Sequence, residues 1–257
     1  MKSTLLSTQN SFICPDWPSL PKGMRALSTT RRGGVSRAPY DDGQGGGGLN
    51  FGERVGDDPA AVAQNRASLQ SQLNSPVIFL SQIHGNIVID ADEWYPGVEA
   101  DAIVSSKPWQ VCAIQTADCL PVLFAAKNGA AIGAAHAGWR GLARGVLQNT
   151  VRAMRARGAQ EICAWLGPAI GPEKFEVGAE VKLAFEEALG NVSDCFVEQA
   201  GGKFLADLYR LAGRALLAVD VSDVAGGGFC TYTDRERFYS YRRDLNTGRM
   251  ATLIWWE

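Results

Sequence analysis

The sequence is poor in histidine and nearly neutral in charge. Only two histidines occur in 257 residues, and the formal net charge is −2. A balance this close to zero argues against a nucleic-acid partner and against attachment to an anionic membrane surface. No apolar run reaches the roughly 20 residues that a membrane-spanning helix needs. We therefore expect a protein without nucleic-acid or membrane partners.

Cysteine is present, but not in the pairs that bind structural zinc or exchange disulfides. None of the six cysteines belongs to a C-x-x-C pair, which argues against a zinc ribbon and against a thioredoxin-like motif. Most of them are expected to be reduced and buried as small hydrophobic residues. The first ten residues are too polar for the apolar core of a signal peptide, so we expect a cytoplasmic protein.

The order of predicted elements indicates an α+β protein. Apolar, β-branched runs predict strands and segments with helical periodicity predict helices, without strict β–α alternation. We expect one domain over residues 1–257, with mixed β-sheets and flanking helices. The predicted strands cover residues 24–30, 77–80, 87–90, 101–104, 111–117, 122–126, 130–135, 161–166, 239–243 and 251–256, and the predicted helices cover residues 57–73, 139–157, 176–189 and 205–219.

Both histidines and one cysteine lie in short motifs where predicted strands end. His84 lies in S-Q-I-H-G-N, Cys119 in T-A-D-C-L-P and His136 in A-A-H-A-G-W-R-G. Gaps of 35 and 17 residues suit ligands from three neighbouring strand ends better than one compact zinc finger. Imidazole and thiolate ligands favour Zn²⁺, with Cu²⁺ as the competing metal. Three protein ligands leave a fourth position open, which is typical of catalytic zinc.

The same residues are compatible with two other interpretations. A single histidine or cysteine near a strand end is more often a buried packing residue than a ligand. Alternatively, Cys119 could be a nucleophile, with one of the two histidines as its base and Asp118 as the group that orients this base. The sequence does not separate these readings, because a thiolate of low pKa serves a metal site and a nucleophile alike.

Further polar residues could contact a substrate beside these motifs. Arg140 and Arg144 fall in the first turn of a predicted helix, where positive charge is unfavourable unless an anion such as phosphate binds. Gln82, Thr116 and Asp118 flank the candidate ligands and could hydrogen-bond to them. Weaker candidates for binding an anion or stacking on a base are Arg31, Arg242, Arg243, Tyr239 and Tyr241.

The three motifs resemble those of the YfiH-like family, whose members are described as laccase-domain proteins, multicopper polyphenol oxidases or purine nucleoside phosphorylases. The resemblance covers nearly the whole chain. It departs at residues 173–174, where many relatives carry a cysteine and this chain has E-K. The further motifs that carry the resemblance are T-T-R (29–31), G-G-V-S (33–36), L-N-F-G (49–52), N-R (65–66), D-A-I-V (101–104), G-P-A-I-G-P (167–172), F-E-V-G (175–178), F-Y-S-Y-R-R-D (238–244) and T-G-R (247–249).

The resemblance implies a metal site, a fold and an activity. The implied metal ligands are His84, Cys119 and His136, the same residues that the spacing indicates. The implied fold is a four-layer α/β/β/α arrangement shared with a bacterial toxin of the cysteine-hydrolase type. The implied activity is zinc-dependent phosphorolysis of adenosine, inosine, guanosine and S-methyl-5'-thioadenosine, accompanied by adenosine deamination. Purine nucleoside and phosphate would be the partners of a monomer or homodimer.

This reading assigns roles to further residues. Arg140 or Arg66 is expected to guide phosphate. Asp118 is the first candidate for the group that transfers a proton, and Asp101 is the second. The expected substrate-binding residues are Arg31, Asn50, Arg66, Gln82, Tyr239 and Arg242.

Three other functions stay open. A multicopper oxidase of the usual kind needs a histidine-rich trinuclear cluster, which two histidines cannot supply. The oxidase function that stays open is the oxidation of phenols by copper bound in the His-Cys-His site. A cysteine hydrolase or amidase, acting through Cys119 on a cell-wall precursor such as that of peptidoglycan, would keep its activity after metal chelation. A nucleotide-binding regulator without enzymatic activity would bind its ligand without turnover.

Overall fold

The computed structural model describes residues 11–256. The prediction that the first ten residues are too polar for a signal-peptide core concerns residues outside this range. No helix in residues 11–256 combines the length and the apolar character needed to cross a membrane. The strands are β1 (Phe12–Ile13), β2 (Met24–Thr29), β3 (Arg32–Ser36), β4 (Val77–Ile78), β5 (Val88–Asp90), β6 (Ala102–Ser105), β7 (Val111–Thr116), β8 (Leu120–Ala126), β9 (Ile132–Ala137), β10 (Ile162–Leu166), β11 (Glu176–Gly178), β12 (Phe196–Gln199), β13 (Lys203–Ala206), β14 (Asp223–Gly226) and β15 (Met250–Trp256), and the α-helices are α1 (Pro59–Ser71), α2 (Trp139–Ala143), α3 (Val146–Arg155), α4 (Ala179–Leu189), α5 (Leu208–Leu217) and α6 (Tyr241–Asp244).

The strands form three sheets. A five-stranded sheet has the order β1-β2-β15-β7-β4, a six-stranded sheet the order β14-β10-β8-β9-β6-β5, and a three-stranded sheet the order β11-β13-β12. The two large sheets are mixed, because β4 pairs with β7, β5 with β6 and β14 with β10 in parallel, whereas their other pairs are antiparallel. The α+β class with mixed sheets is therefore confirmed.

The layers follow from strands that are apolar on both faces. In β7, Val111 and Ala113 pack with residues of α1, while Cys112 and Ile114 pack between the two large sheets. In β8, alternate residues such as Phe124 face the cluster that contains α3, α4 and α5. Strands buried on both faces are typical of the inside of a layered fold. The order α1, five-stranded sheet, six-stranded sheet and helices α2 to α5 is the expected four-layer α/β/β/α arrangement.

The prediction of one continuous helix over residues 139–157 is wrong. This segment is divided into α2 and α3 at Gly145, which has a φ of 84° and precedes the first residue of α3. Glycine adopts this left-handed conformation without the steric cost that a Cβ atom imposes. Both helices pack on the six-stranded sheet.

Three other predicted elements differ from the structure. The predicted strand over residues 239–243 is wrong, because the side chain of Ser240 accepts the backbone N–H of Arg243 and caps the short helix α6. The predicted helices at 176–189 and 205–219 both start too early, since their first residues belong to β11 and β13. These strands are short and partly exposed, so their hydrophobic pattern is weak.

The cysteines are free thiols throughout. As expected for reduced packing residues, Cys112, Cys163 and Cys195 are buried, whereas Cys14 is exposed. Cys119 and Cys230 are half-buried. Cys119 is therefore accessible enough to take part in chemistry.

Candidate metal centre

Strand pairing brings the three candidate ligands together. Cys119 precedes β8, and His136 is on β9. These strands are antiparallel, with Leu120 opposite Ala137 and Pro121 opposite His136, so Cys119 lies beside the end of β9. His84 comes from the turn after β4 and reaches the same point.

The ligand atoms form a compact group. One nitrogen of each histidine and the Sγ atom of Cys119 all lie within 4.8 Å of one another. The Sγ atom of Cys119 lies 3.8 Å from Nε2 of His84, and the two imidazole rings have a centroid separation of 4.7 Å at 75°. Two imidazoles and a thiolate at this spacing are a donor set suited to Zn²⁺ or copper.

Gly138 leaves room between these donors. A Cβ atom at this position would lie 2.9 Å from Cδ2 of His84 and 3.1 Å from Sγ of Cys119. A side chain at position 138, directly after β9, would enter the space between the ligands, and glycine has none. Both the donor set and this space fit a bound metal ion.

Asp101 holds two of the three ligands. Its fully buried carboxylate lies 2.8 Å from Nδ1 of His136 and accepts the backbone N–H of His84 at 2.9 Å. The N–H groups of Ile83 and Gly85 also donate to it, at 3.2 and 2.6 Å. Because Nδ1 of His136 is used by Asp101, Nε2 is the nitrogen left for a metal. These hydrogen bonds to Asp101 hold the turn, although the backbone of His84 has an unfavourable φ of 60°.

Charge within the group favours a thiolate. Burial alone would raise the pKa of the Cys119 thiol, but His136, with a smaller contribution from His84, lowers it to about 6. Burial would lower the pKa of His136, but Cys119 and Asp101 outweigh this effect and raise it to about 9. The protein without metal therefore holds Cys119 and His136 as an ion pair near neutral pH.

The candidate ligands line a cavity of about 930 Å³. Its wall includes the side chains of Gln82 and Arg66, two residues that the sequence analysis assigned to substrate binding. It also includes the aromatic residues Phe79, Trp94 and Tyr241. The other candidates, which are described residues outside this wall, are Arg31, Asn50, Asp118, Arg140, Tyr239 and Arg242.

Gln82 makes its polar contacts with a strand. Its Nε2 atom donates to the carbonyl of Gln115, and the N–H of Gln115 donates to its Oε1 atom, both at 2.8 Å. The amide group thereby fixes the residues before His84 to β7. Substrate contact by Gln82 stays a prediction.

Three of the candidates outside the wall support loops. Asn50 is fully buried, and its Oδ1 atom accepts the backbone N–H groups of Gly52 and Arg249. Tyr239 is fully buried, and its hydroxyl donates to the carbonyl of Tyr40. The guanidinium of Arg31 lies over the Tyr239 ring at 4.8 Å. Substrate binding by Arg31, Asn50 and Tyr239 stays a prediction that these contacts do not favour.

Both oxygens of Asp118 are also occupied. Oδ1 accepts the hydroxyl of Thr231 and Oδ2 the backbone N–H of Arg242, each at 2.6 Å. The guanidinium of Arg242 donates to the carbonyl of Glu176 and lies over the ring of Phe175. These contacts fix the turn before Cys119, and proton transfer by Asp118 stays a prediction.

Arg140 lies away from the candidate metal centre. Its guanidinium lies 4.4 Å from the centroid of the Trp139 ring. With Arg144 and residues of α4, it lines a separate cavity of about 450 Å³. Arg140 is not among the described residues that line the cavity of the candidate ligands. The expected phosphate contact by Arg140 stays a prediction without support from this geometry.

Two arginines of the cavity wall have no role that the sequence predicted. Arg54 follows the L-N-F-G motif and donates to the hydroxyl of Ser81. Arg249 entered only as part of the T-G-R motif, which was the one signal that could have found it. Both line the same cavity as Cys119.

Comparisons with known proteins agree with this architecture. The sequence profile of the family described as "Multi-copper polyphenol oxidoreductase laccase" matches residues 25–257. A Pseudomonas aeruginosa protein named purine nucleoside phosphorylase is 50% identical over 96% of this chain and 98% of its own length. An Escherichia coli protein named purine nucleoside phosphorylase YfiH is 49% identical over 96% of this chain and 99% of its own length.

A solved structure shows the same fold. The crystal structure of a Neisseria meningitidis protein superposes with a TM-score of 0.89, at 47% identity over 96% of this chain and 99% of that one. The resemblance to YfiH-like proteins that the motifs indicated is confirmed by these matches. This chain therefore belongs to the multi-copper polyphenol oxidoreductase laccase family, whose bacterial members most similar to it include proteins named purine nucleoside phosphorylase.

Proposed function

We propose that this protein is a zinc-dependent purine nucleoside phosphorylase with accompanying adenosine deaminase activity. The observation that carries the proposal is the His84–Cys119–His136 group in the wall of a cavity of about 930 Å³. The names of relatives about half identical to this chain support the same reaction. The substrates would be adenosine, inosine, guanosine and S-methyl-5'-thioadenosine, with the protein acting in the cytoplasm as a monomer or homodimer.

The cavity has the size and chemistry for a nucleoside together with phosphate. Pockets for small molecules commonly have volumes of about 300–1,000 Å³ and combine apolar walls with a few polar groups. The rings of Phe79, Trp94 and Tyr241 supply flat apolar surface for a purine. The guanidinium groups of Arg54 and Arg249 supply positive charge for an anionic co-substrate.

The chain's own residues have distinct parts in this proposal. His84, Cys119 and His136 would hold the metal, and Asp101 would orient both histidines. When bound there, Zn²⁺ supplies Lewis-acid polarisation of a substrate group. The cavity walls would hold the purine and the ribose, so that phosphate and C1′ meet in a fixed orientation.

Product analysis tests the proposal. Zinc-loaded protein is incubated with adenosine, with and without phosphate, and the products are identified by mass spectrometry. We expect adenine and ribose 1-phosphate only when phosphate is present, and inosine as the product of deamination. The Cys119→Ala variant is the control and should give none of these products. Zinc-loaded protein that leaves adenosine unchanged in both buffers would contradict the proposal.

A second candidate is a cysteine hydrolase or amidase. It is favoured by one observation, the lowered pKa of Cys119, about 6, beside His136. In that case the metal would be dispensable, and the thiolate would attack an acyl group. Activity that survives a chelator and disappears after alkylation of Cys119 would distinguish this function from the phosphorylase.

Copper in the same site is the third candidate. The thiolate of Cys119 suits copper as well as zinc, and the family description names a polyphenol oxidoreductase. Copper-loaded protein assayed for oxygen consumption with a phenol, against zinc-loaded protein, would detect this reaction.

A further inference from the structure

We propose that the side-chain amide of Gln115 binds the edge of the purine base that carries N1 and the substituent at C6. This inference rests on the proposed phosphorylase function, because it names how the protein recognises the base of its nucleoside. It also gives a physical reason why one site would accept 6-amino purines, such as adenosine, and 6-oxo purines, such as inosine.

The register of β7 directs the side chain of Gln115 into the cavity. Successive side chains of a strand alternate between its two faces. Val111 and Ala113 face the cluster that includes residues of α1, and Gln115 is the next residue on that face. Arg66 and Gln70 of α1 line the cavity on the same side. The other five residues of β7 are buried, whereas Gln115 is half-buried and lines the cavity.

The neighbours of Gln115 on this face leave room above it. Ala251 of β15 lies directly opposite, and Ala113 lies two positions earlier in β7. Both alanines are fully buried and have no side-chain atom beyond Cβ. Phe79 packs against the cluster that contains them and lines the same cavity. A flat base can therefore approach the amide beside an aromatic side chain.

Gln115 carries the free amide among the three glutamines of the cavity wall. The Nε2 atom of Gln70 donates to the carbonyl of Ser75, and its Oε1 atom accepts the N–H of Val77, both at 2.9 Å. The amide of Gln82 is bonded in the same way to the backbone of Gln115. The side-chain amide of Gln115 itself makes no hydrogen bond with any residue from 11 to 256. Its donor and its acceptor are thus available to a ligand.

A free amide matches both kinds of purine, because it can turn about its terminal bond. Adenine has an acceptor at N1 and a donor in its 6-amino group, whereas hypoxanthine and guanine have a donor at N1 and an acceptor at O6. The amide offers an acceptor oxygen and an NH₂ donor side by side. In one orientation it donates to N1 and accepts from the amino group of adenine. After a half-turn it accepts from N1–H and donates to O6 of a 6-oxo purine.

Calorimetry with two nucleosides tests this pairing in zinc-loaded protein without phosphate. Inosine offers both groups of the edge, whereas 6-methylpurine riboside keeps the acceptor at N1 and has a methyl group at C6. Neither has an amino group at C6 that deamination could remove. We expect the wild type to bind inosine about tenfold more tightly than 6-methylpurine riboside, because the second nucleoside loses one hydrogen bond.

Gln115→Met removes the amide and keeps the length of the side chain. The backbone of residue 115 can still bond to Gln82 in this variant, so β7 should stay in place. We expect inosine to bind about 30-fold more weakly than in the wild type, and the preference for inosine over 6-methylpurine riboside to fall to about onefold. A substitution that merely disturbed the cavity would weaken both nucleosides equally and leave the preference unchanged.

Gln70→Met is the matched control. Gln70 lines the same cavity, but its amide is bonded to the backbone. This variant loses those bonds and should melt at a lower temperature, while the preference for inosine stays at about tenfold. A preference that falls equally in Gln70→Met and Gln115→Met would contradict a direct contact between Gln115 and the base.

Phosphorolysis of inosine, measured on the same proteins, separates this inference from the proposed function. If the wild type cleaves inosine and Gln115→Met keeps the full preference for inosine, the role of the amide is wrong and the function stands. If the wild type binds both nucleosides without cleaving inosine, the function is wrong. A preference lost only in Gln115→Met would then still support a purine site at Gln115. Absence of binding by either nucleoside, together with absence of cleavage, would overturn both.

Discussion

The carboxylate of Asp101 joins the two histidines of the candidate metal centre. Its Oδ1 atom lies 2.8 Å from Nδ1 of His136 and accepts the backbone N–H of His84 at 2.9 Å. The burial of Asp101 tends to raise the pKa of its carboxyl, but its bonds to His136 and the amides of the turn lower it. Asp101 is thus an ionised group that fixes both ligands.

Removing this charge should weaken metal binding. We expect Asp101→Asn to lower the affinity for Zn²⁺ about 10- to 100-fold, the usual effect of losing a partner of a ligating histidine. Competition with a chromophoric chelator measures the affinity. Asp90→Asn is the control, because Asp90 is a half-buried carboxylate that pairs with Arg157. Equal zinc affinity in both variants would show that Asp101 does not orient the ligands.

A methyl group at Gly138 should close the space between the ligands. The Cβ atom of Gly138→Ala would approach His84 to 2.9 Å and Cys119 to 3.1 Å, so the ligands would have to separate. We expect a lower zinc content, measured by mass spectrometry of the metal, in a protein with an unchanged circular dichroism spectrum.

Gly213→Ala provides the matched substitution at a glycine with open surroundings. It lies within α5, and an added Cβ atom would meet nothing within 4 Å. Alanine in a helix interior is more favourable than glycine by about 1 kcal/mol, so this variant should melt at the same or a higher temperature with full zinc content. Full zinc content in Gly138→Ala as well would contradict the assigned space.

The reactivity of Cys119 should depend on pH in a characteristic way. In the metal-free protein the pKa of this thiol is lowered to about 6, chiefly by His136 acting against burial. The thiolate is the reactive form, so alkylation by iodoacetamide should increase as the pH rises through about 6 and then level off. Peptide mass spectrometry after short exposures gives the rate at each pH.

Two comparisons check the origin of this profile. Bound zinc should protect Cys119 from alkylation, because the sulfur would be a ligand. The buried thiol of Cys112, whose pKa burial raises, should stay unmodified over the same range. A rate for Cys119 that increases only near pH 9, the ordinary thiol range, would contradict the ion pair with His136.

The candidate ligands and most of the layers could be predicted from the sequence. His84, Cys119 and His136 could be predicted because each lies in a motif at a strand end, where small neighbours leave space. The four-layer order is consistent with runs such as β7 and β8, which are apolar on both faces. These signals are local, so a single sequence is enough to detect them.

The surroundings of the ligands required the three-dimensional structure. Arg249 joins the wall of the cavity that contains Cys119 only through the pairing of β15 with β7, which no local pattern reveals. The role of Asp101 depends on a turn and a strand that meet at one carboxylate. Arg140 seemed well placed by sequence because it follows His136 closely, but α2 carries its side chain onto Trp139.

A metal titration tests the central claim most directly. Metal-free protein receives increasing amounts of Zn²⁺, and the formation of ribose 1-phosphate from inosine and phosphate is followed at each step, with Cys119→Ala as the control. We predict that the rate rises in proportion to zinc, levels off at one equivalent per chain and stays at background in Cys119→Ala. Phosphorolysis at full rate in the metal-free protein, or in Cys119→Ala, would contradict a catalytic metal held by His84, Cys119 and His136.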